Sequence, residues 1–111
     1  MRIAVEEESQ AYIIRLSGEL DASTCLEVDR AIEMALLKPI SQLWIDCEGL
    51  TYISSAGLGV FISHLQTLEA RNVNFVFYHM KPQIYSVFEL LGLHDLMSIV
   101  PTRQEAEALS S

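Results

Sequence analysis

Two serines and two glycines lie close together in the stretch "YISSAGLGVF", residues 52–61. Of all the segments of the chain, this one has the residue types and spacing that best suit a functional site. The stretch lies between "QLWIDC", which has the pattern of a buried strand, and "ISHLQTLEA", which has the pattern of a helix. A serine at the start of a helix can cap free backbone N–H groups. It can also carry a phosphate, because those N–H groups and the helix dipole favour an anion. Ser54 and Ser55 are therefore either helix caps or phosphoacceptors.

The two glycines add a second indication. Gly57 and Gly59 fall in the first turn of the predicted helix, where each glycine costs about 0.5–1 kcal/mol relative to alanine. Close packing against a neighbouring strand is one explanation. Leu58 stands between them, and a hydrophobic side chain on a bare backbone suits the close approach of a docking partner, which is the other explanation.

The sequence contains no complete motif for a metal site, a catalytic nucleophile or a dinucleotide-binding loop. His64, His79 and His94 are each 15 residues from the next, and none has a second metal ligand nearby in sequence, so only the fold could assemble a metal site. The residues "ISSAG" lack the first glycine of a G-x-S-x-G nucleophile elbow, and "GLGVFI" has two of the three glycines of a dinucleotide fingerprint. We expect no catalytic residue, no metal and no cofactor.

Composition and charge narrow the class of protein. The 111 residues fit one domain over residues 1–111, and the net charge of -8 argues against binding nucleic acid or an anionic membrane surface. No apolar stretch approaches membrane-spanning length, and "MRIAVEEESQ" does not resemble a signal peptide, so we expect a cytoplasmic protein. Cys25 and Cys47 are expected to be reduced core residues.

Strands and helices alternate around the serine stretch. "RIAV" and "AYIIRLSG" predict a hairpin joined by the turn "EEESQ", after which Asp21 or Ser23 can cap a first helix that ends before Pro39. "SQLWIDC" and "VNFVFYHM" predict further strands, "KPQIYSVFELLG" a third helix, "LMSIV" a short last strand and "PTRQEAEALSS" a last helix. The predicted fold is α/β, with a mixed, mostly parallel sheet, an N-terminal β-hairpin and about four helices. The predicted buried stripes are Cys25, Val28, Ile32 and Ala35 or Leu36 in the first helix, Leu58, Phe61, Ile62, Leu65 and Leu68 in the second, and Ile84, Val87, Phe88 and Leu91 in the third.

The serine stretch, preceded by "IDCEGLT", resembles the phosphorylation-site segment of bacterial anti-sigma-factor antagonists, which are single STAS domains. "LSGELDAST" resembles the G-E-[LI]-D loop of that family, and "KPQIYSVFELLGL" resembles its third helix, so the resemblance covers nearly the whole chain. It implies that Ser55 is the phosphorylated serine and that Asp21 lies beside it. It also implies that Gly57 is the glycine of the site and Leu58 its hydrophobic contact residue.

One position departs from the family pattern. The usual site reads D-S-[STA]-G-[LI]-G, and Ser54 stands where the family has aspartate. The change removes a negative charge beside Ser55 and makes Ser54 a rival phosphoacceptor. Ser23 and Thr24 are weaker candidates for phosphorylation, because they suit caps of the first helix. The expected partner-binding residues are Asp21, Ser54, Ser55, Gly57 and Leu58.

The resemblance implies a partner-switching cycle. The unmodified protein would bind a serine-kinase anti-sigma factor, the kinase would phosphorylate Ser55 and release it, and a serine phosphatase would restore the first state. Residues 41–69 contain no lysine or arginine, so we expect release by repulsion and desolvation, with little change in the fold. The alternatives are a STAS adaptor or scaffold that no kinase modifies, which Ser54 favours, and a small enzyme, which has only the serines in its favour. Tyr52 suits the contact surface or the core, and Trp44 suits the core.

Overall fold

The predicted succession of strands and helices is present in the expected order. The computed structural model describes residues 1–109, so the last two residues of the predicted C-terminal helix lie outside the described part of the chain. The elements are β1 (Arg2–Glu8), β2 (Ala11–Leu20), α1 (Cys25–Leu36), β3 (Gln42–Ile53), α2 (Ser55–Ala70), β4 (Asn74–Tyr78), α3 (Pro82–Leu90), a 3₁₀ turn (Leu93–Asp95), β5 (Ser98–Ile99) and α4 (Arg103–Leu109).

The five strands form one mixed sheet in the order β1-β2-β3-β4-β5. β1 and β2 pair antiparallel, and the remaining neighbours pair parallel, as the alternation of elements predicts. The hairpin turn is shorter than predicted, since it contains only Ser9 and Gln10 while the three glutamates of "EEESQ" continue β1. One of these glutamates, Glu6, forms an ion pair with Arg15 on β2, which supports the pairing of the two strands.

The two faces of the sheet carry two unequal cores. α1, α2 and α3 cover the first face, where the larger core includes Ile14, Ile45, Phe61, Phe77 and Phe88. α4 covers the second face, with a small cluster of Ile13, Trp44, Val76, Tyr78 and Ala106. Trp44 is therefore a core residue, as predicted. Cys47 is buried, Cys25 is half-buried, and both are free thiols.

Two residues of the predicted buried stripes are exposed. Ile62 on α2 is 45% exposed, because the preceding Phe61 occupies the position that faces the sheet and the helix turns by about 100° per residue. Leu91 is exposed because α3 ends at Leu90, and Leu93 in the next turn is buried instead. The prediction that Ile62 and Leu91 belong to the core is wrong.

The first helix begins without the predicted side-chain cap. Thr24 is the N-cap, and its hydroxyl makes no capping bond but donates to the backbone carbonyl of Glu19 at 2.8 Å. The helix entry is satisfied by backbone groups, since the Cys25 N–H donates to the Asp21 carbonyl at 2.9 Å. Asp21 and Ser23 are therefore not caps of α1, contrary to the prediction.

Replacing Tyr78 by phenylalanine is expected to leave the protein at least as stable at pH 7 and to protect it at alkaline pH. The Tyr78 hydroxyl is buried and has no hydrogen-bond partner among the described residues, so its removal relieves an unsatisfied polar group. Burial, and then the Asp46 carboxylate, raise the pKa of Tyr78 to about 12. The unfolded chain ionises first, so stability falls as the pH rises from 10 towards that value. Urea unfolding at pH 7 and 11 measures both effects, and equal losses at pH 11 in the two proteins would contradict this account.

Candidate functional site at the start of the second helix

The ends of β2 and β3 bring the two predicted loops together at one edge of the sheet. Leu20 and Ile53 are paired neighbours and the last residues of their strands, so Asp21 and Ser54 follow side by side. The Ser54 N–H donates to the Leu20 carbonyl at 2.9 Å, which fixes this junction. β3 continues to Ile53, further than the predicted "SQLWIDC", because residues 49–53 pair with the end of β2.

Ser54 and Ser55 differ in environment although they are adjacent. Ser54 is the half-buried N-cap of α2, and its hydroxyl accepts a hydrogen bond from the Gly57 N–H at 3.3 Å. Ser55 is the first residue of α2 and is exposed. Ser54 thus provides the cap that an aspartate would provide, without the charge. Capping accounts for the first serine and leaves the second without a role in the fold.

The two glycines also have different surroundings. A Cβ at Gly57 would lie 2.7 Å from Leu20 Cγ and 2.9 Å from the Leu20 carbonyl oxygen, closer than packed atoms tolerate. Gly57 is therefore required where α2 crosses the end of β2. A Cβ at Gly59 would have nothing within 4 Å among the described residues. Close packing explains the first glycine and does not explain the second.

Leu58 is buried, as its place in the predicted stripe of the second helix indicates, rather than at the surface as a contact residue. Its side chain is 3% exposed and belongs to the core on the first face of the sheet, since this position of α2 points inward. The exposed apolar side chains near the serines are Tyr52, which is 49% exposed at the end of β3, and Ile62. Ser55, Gly59 and Ile62 are spaced by four and three residues, so they share one exposed face of α2.

Asp21 is held in a tight turn beside this helix. Its carboxylate accepts from the Ser23 N–H at 2.9 Å and the Ser23 hydroxyl at 2.7 Å, and it lies 3.3 Å from the Thr24 hydroxyl. These hydrogen bonds, with the Ser23 hydroxyl first, lower the pKa of Asp21, so the group is a carboxylate at neutral pH. The loop therefore presents a fixed negative charge next to the start of α2.

The segment that contains the serines has no basic side chain, and the neighbouring strand contributes an acidic one. Residues 41–69 contain no lysine or arginine, and Glu19 pairs with Tyr52 across the end of the sheet. The first turn of α2 itself has no acidic residue, and its leading N–H groups have no carbonyl one turn earlier to bind. A phosphate on Ser55 would lie at the N-terminal end of α2, in a segment without basic side chains.

Comparisons of the sequence and the fold with known proteins identify the family of the chain. The STAS domain model matches residues 2–106. The chain belongs to the STAS domain family. The Listeria monocytogenes anti-sigma-B factor antagonist is 33% identical to this STAS domain over 98 residues, which are 87% of this chain and 86% of the relative.

Solved structures agree with the assignment of the fold. The anti-sigma factor antagonist SpoIIAA in its unphosphorylated form has a TM-score of 0.80 and 25% identity, over 95% of this chain and 92% of that chain. An anti-sigma factor antagonist from Mycobacterium paratuberculosis has a TM-score of 0.88 at 22% identity, over 97% and 92% of the two chains, which supports the fold alone. In the described part of this STAS domain, no helix is long and apolar enough to span a bilayer.

The structure brings together Asp21, Ser54, Ser55 and Gly57 and turns Leu58 inward. Ile62 was not among the predicted site residues, because the spacing of apolar residues in α2 assigned it to the core. Ile62 lies seven residues, or about two helical turns, after Ser55, so it shares the face of α2 that carries Ser55, and this spacing could have identified it. We call the exposed surface around the start of α2 the docking face, and it consists of Asp21, Tyr52, Ser55, Gly59 and Ile62.

Proposed function

We propose that this STAS domain is an anti-sigma-factor antagonist that binds a serine-kinase anti-sigma factor through the docking face and is released by phosphorylation of Ser55. The observation that carries the proposal is the contrast between the two serines, because Ser54 caps the helix and Ser55 is exposed. The relatives support the proposal, since they include proteins named for antagonism of anti-sigma factors, one of them described in an unphosphorylated form.

Ser55 is a better phosphoacceptor than Ser54. The Ser54 hydroxyl is half-buried and accepts the Gly57 N–H, so a phosphate there would have to displace the cap of α2. Loss of an N-cap typically costs about 1 kcal/mol. Ser55 projects from the first turn, where its hydroxyl can reach a kinase without any change in the helix. In the reaction, the Ser55 oxygen takes the γ-phosphoryl group of ATP, ADP leaves, and the hydroxyl proton goes to a base of the kinase.

Phosphorylation would disrupt the complex by charge. The phosphate adds about -1.5 to -2 charges at the centre of the docking face, next to the Asp21 carboxylate. Residues 41–69 contain no lysine or arginine that could neutralise the phosphate. The N–H groups of α2 reduce the cost of the added charge within the domain. The fold therefore stays nearly unchanged. The cost of charge repulsion and of removing water from the phosphate arises at the interface with the kinase. A serine phosphatase would restore the binding form by hydrolysing the phosphoserine to serine and inorganic phosphate.

A second function is an adaptor that binds a kinase-like partner and is never phosphorylated. Ser54 in place of the family aspartate favours it, because the charge next to the phosphoacceptor is absent. Calorimetric titration of each serine-kinase anti-sigma factor of the host into the unmodified protein separates the two functions. The proposal predicts a complex that dissociates after MgATP is added. A complex that persists with MgATP would favour the adaptor, and no complex with any of these kinases would refute both.

Replacing Gly59 by alanine is expected to stabilise the free domain by up to about 1 kcal/mol and to weaken the kinase complex about 10-fold or more. Alanine favours the helix, and its Cβ would meet nothing within the described part of the chain. The same Cβ would stand in the docking face, where a closely packed partner would have to move away. Urea unfolding and calorimetric titration measure the two effects. Stronger or unchanged binding by the Gly59→Ala variant would show that the partner does not approach this backbone.

A further inference from the structure

A second cluster of polar side chains lies away from the docking face, where β3 and β4 diverge. His79 Nδ1 is 3.2 Å from Asp46 Oδ1 and 3.8 Å from Glu48 Oε2, and one ligand atom of each residue lies within 4.8 Å of the others. Each of these residues is distant in sequence from at least one other, so only the fold assembles the group. We propose that Asp46, Glu48 and His79 form a binding site for a divalent transition-metal ion, with Zn²⁺ as the best fit.

Local backbone geometry explains why these three side chains converge. Asp46 is the last residue of β3 that pairs with β4, opposite Tyr78, and the strands separate beyond that pair. A register shift against β2 follows Asp46, and it inserts an extra residue in β3 next to Glu48. His79 has a left-handed φ of 57°, which breaks the alternation of β4 and turns the ring towards the two carboxylates. An irregularity in each strand thus aims its side chains at a common point.

His79 Nδ1 and Asp46 Oδ1 are hydrogen-bonded in this structure, and the distances from His79 to the two carboxylates also match the spacing of ligands around a metal ion. Ligands of a tetrahedral Zn²⁺ lie about 2.0–2.2 Å from the ion and therefore about 3.4 Å from one another. The separations of 3.2 and 3.8 Å lie on either side of this value, and the second is too long for a hydrogen bond. Glu48 is exposed, so its carboxylate can shift to complete the set of ligands. A water molecule would complete a four-coordinate site.

The donor set selects the class of ion. One imidazole nitrogen and two carboxylate oxygens suit Zn²⁺, Ni²⁺ or Co²⁺, whereas Mg²⁺ and Ca²⁺ prefer oxygen ligands throughout. Asp46 Oδ1 faces His79, while Arg15 Nε lies 3.5 Å from the other oxygen, Oδ2, and so holds the carboxylate in place. Asp46 Oδ1 also accepts from the Glu48 N–H at 3.1 Å, and the Lys81 ammonium bonds the Glu48 carbonyl rather than its carboxylate. These neighbours orient the ligands, and a bound ion would replace the hydrogen bond between His79 Nδ1 and Asp46 Oδ1.

The test is Zn²⁺ binding to the untagged, full-length protein at pH 7.5, measured by competition with a chromophoric chelator. We expect one Zn²⁺ per chain, with an affinity that falls at least about 10-fold in His79→Gln and in Glu48→Gln. Glu48→Gln changes an exposed side chain and should fold normally, which matters because Asp46→Asn would also disturb Arg15. The matched control is His94→Gln, because the His94 side chain is 31% exposed and that of His79 is 34% exposed.

Stoichiometric Zn²⁺ binding that depends on His79 and Glu48 and survives His94→Gln would establish the site. No binding, binding that both variants retain, or binding that is lost with His94 would overturn it. Mg²⁺ at millimolar concentration should not displace the Zn²⁺, and displacement would show a site for hard cations instead. The result is independent of the proposed partner switch, because none of the three ligands belongs to the docking face.

Discussion

Replacing Ser55 by glutamate is expected to weaken the complex with the kinase anti-sigma factor by about 100-fold or more. An uncompensated charge buried at an interface costs about 2–5 kcal/mol, and each 1.4 kcal/mol is a factor of ten in affinity. Ser55 is exposed in the first turn of α2, between the Asp21 loop and the end of β3, and residues 41–69 offer no basic side chain to neutralise the charge. Calorimetric titration of the kinase into each variant measures the effect.

Two further variants control this experiment. Ser55→Ala keeps the docking face neutral and should bind the kinase as the unmodified protein does. Ser86→Glu adds the same charge to an exposed position of α3, where the serine hydroxyl donates to the Pro82 carbonyl at 2.9 Å. It should leave binding unchanged, because α3 is not part of the docking face. Equal weakening by Ser55→Glu and Ser86→Glu would indicate a response to net charge and would contradict a localised switch.

Replacing Gly57 by alanine is expected to destabilise the domain by about 2 kcal/mol, which corresponds to a fall of roughly 10 °C in Tm. The new Cβ would lie 2.9 Å from the Leu20 carbonyl oxygen and 2.7 Å from Leu20 Cγ. The carbonyl cannot move easily, because it accepts the Ser54 N–H that joins β2 to the start of α2. The gain in helix propensity, about 1 kcal/mol, offsets only part of this overlap. Urea unfolding of the variant provides the measurement.

Gly59→Ala is the matched control for this second prediction. The two substitutions are the same, lie two residues apart in one helix, and differ in that only the first meets packed atoms. We expect opposite signs, with loss of stability at Gly57 and a small gain at Gly59. If Gly57→Ala were as stable as the unmodified protein, α2 would have to pack further from β2 than its present position.

The sequence predicted the order of the elements because each has a strong local signal. Apolar residues at alternating or helical spacing marked β2, β4 and the helices, and Pro82 and Gly92 marked the ends of α3. Gly92 has the left-handed φ of 72° that favours glycine after a helix. The end of β3 was missed, because residues 49–53 are held in the sheet by pairing with β2 rather than by their own apolar pattern.

The sequence predicted where in the chain the candidate site lies, but it did not predict which side chains of the site are buried and which are exposed. The motif identified Ser55 and its neighbours, but sequence did not separate Gly57 from Gly59, because the difference lies in the distance to Leu20. It placed Leu58 both in the buried stripe of the second helix and at the contact surface, and it placed Ile62 in the core. The structure buries Leu58 and exposes Ile62. Which way each side chain points depends on how α2 is rotated on the sheet, and both residues fit a helical apolar spacing. The group of Asp46, Glu48 and His79 depends on two backbone irregularities, which no spacing in the sequence indicates.

Ser54 shows how one residue can retain a structural role and lose an electrostatic one. Its hydroxyl accepts the Gly57 N–H, as a carboxylate at the N-cap would, so α2 is capped without the aspartate of the family pattern. The docking face is correspondingly less negative before phosphorylation. We infer that phosphorylation of Ser55 changes the charge of this surface from nearly neutral at residues 54 and 55 to strongly negative. In a protein with aspartate at position 54, the same phosphate would be added to a surface that is already negative there.

The most direct test of the account is intact-mass and peptide-mapping analysis of the protein after incubation with its kinase partner and MgATP. The account predicts one phosphoryl group, located on Ser55, and none in the Ser55→Ala variant. Phosphate on Ser54 would contradict the assignment of Ser55 as the phosphoacceptor and move the switch by one position. Stable binding with no phosphate on any serine would contradict the switch itself and leave the domain as an adaptor.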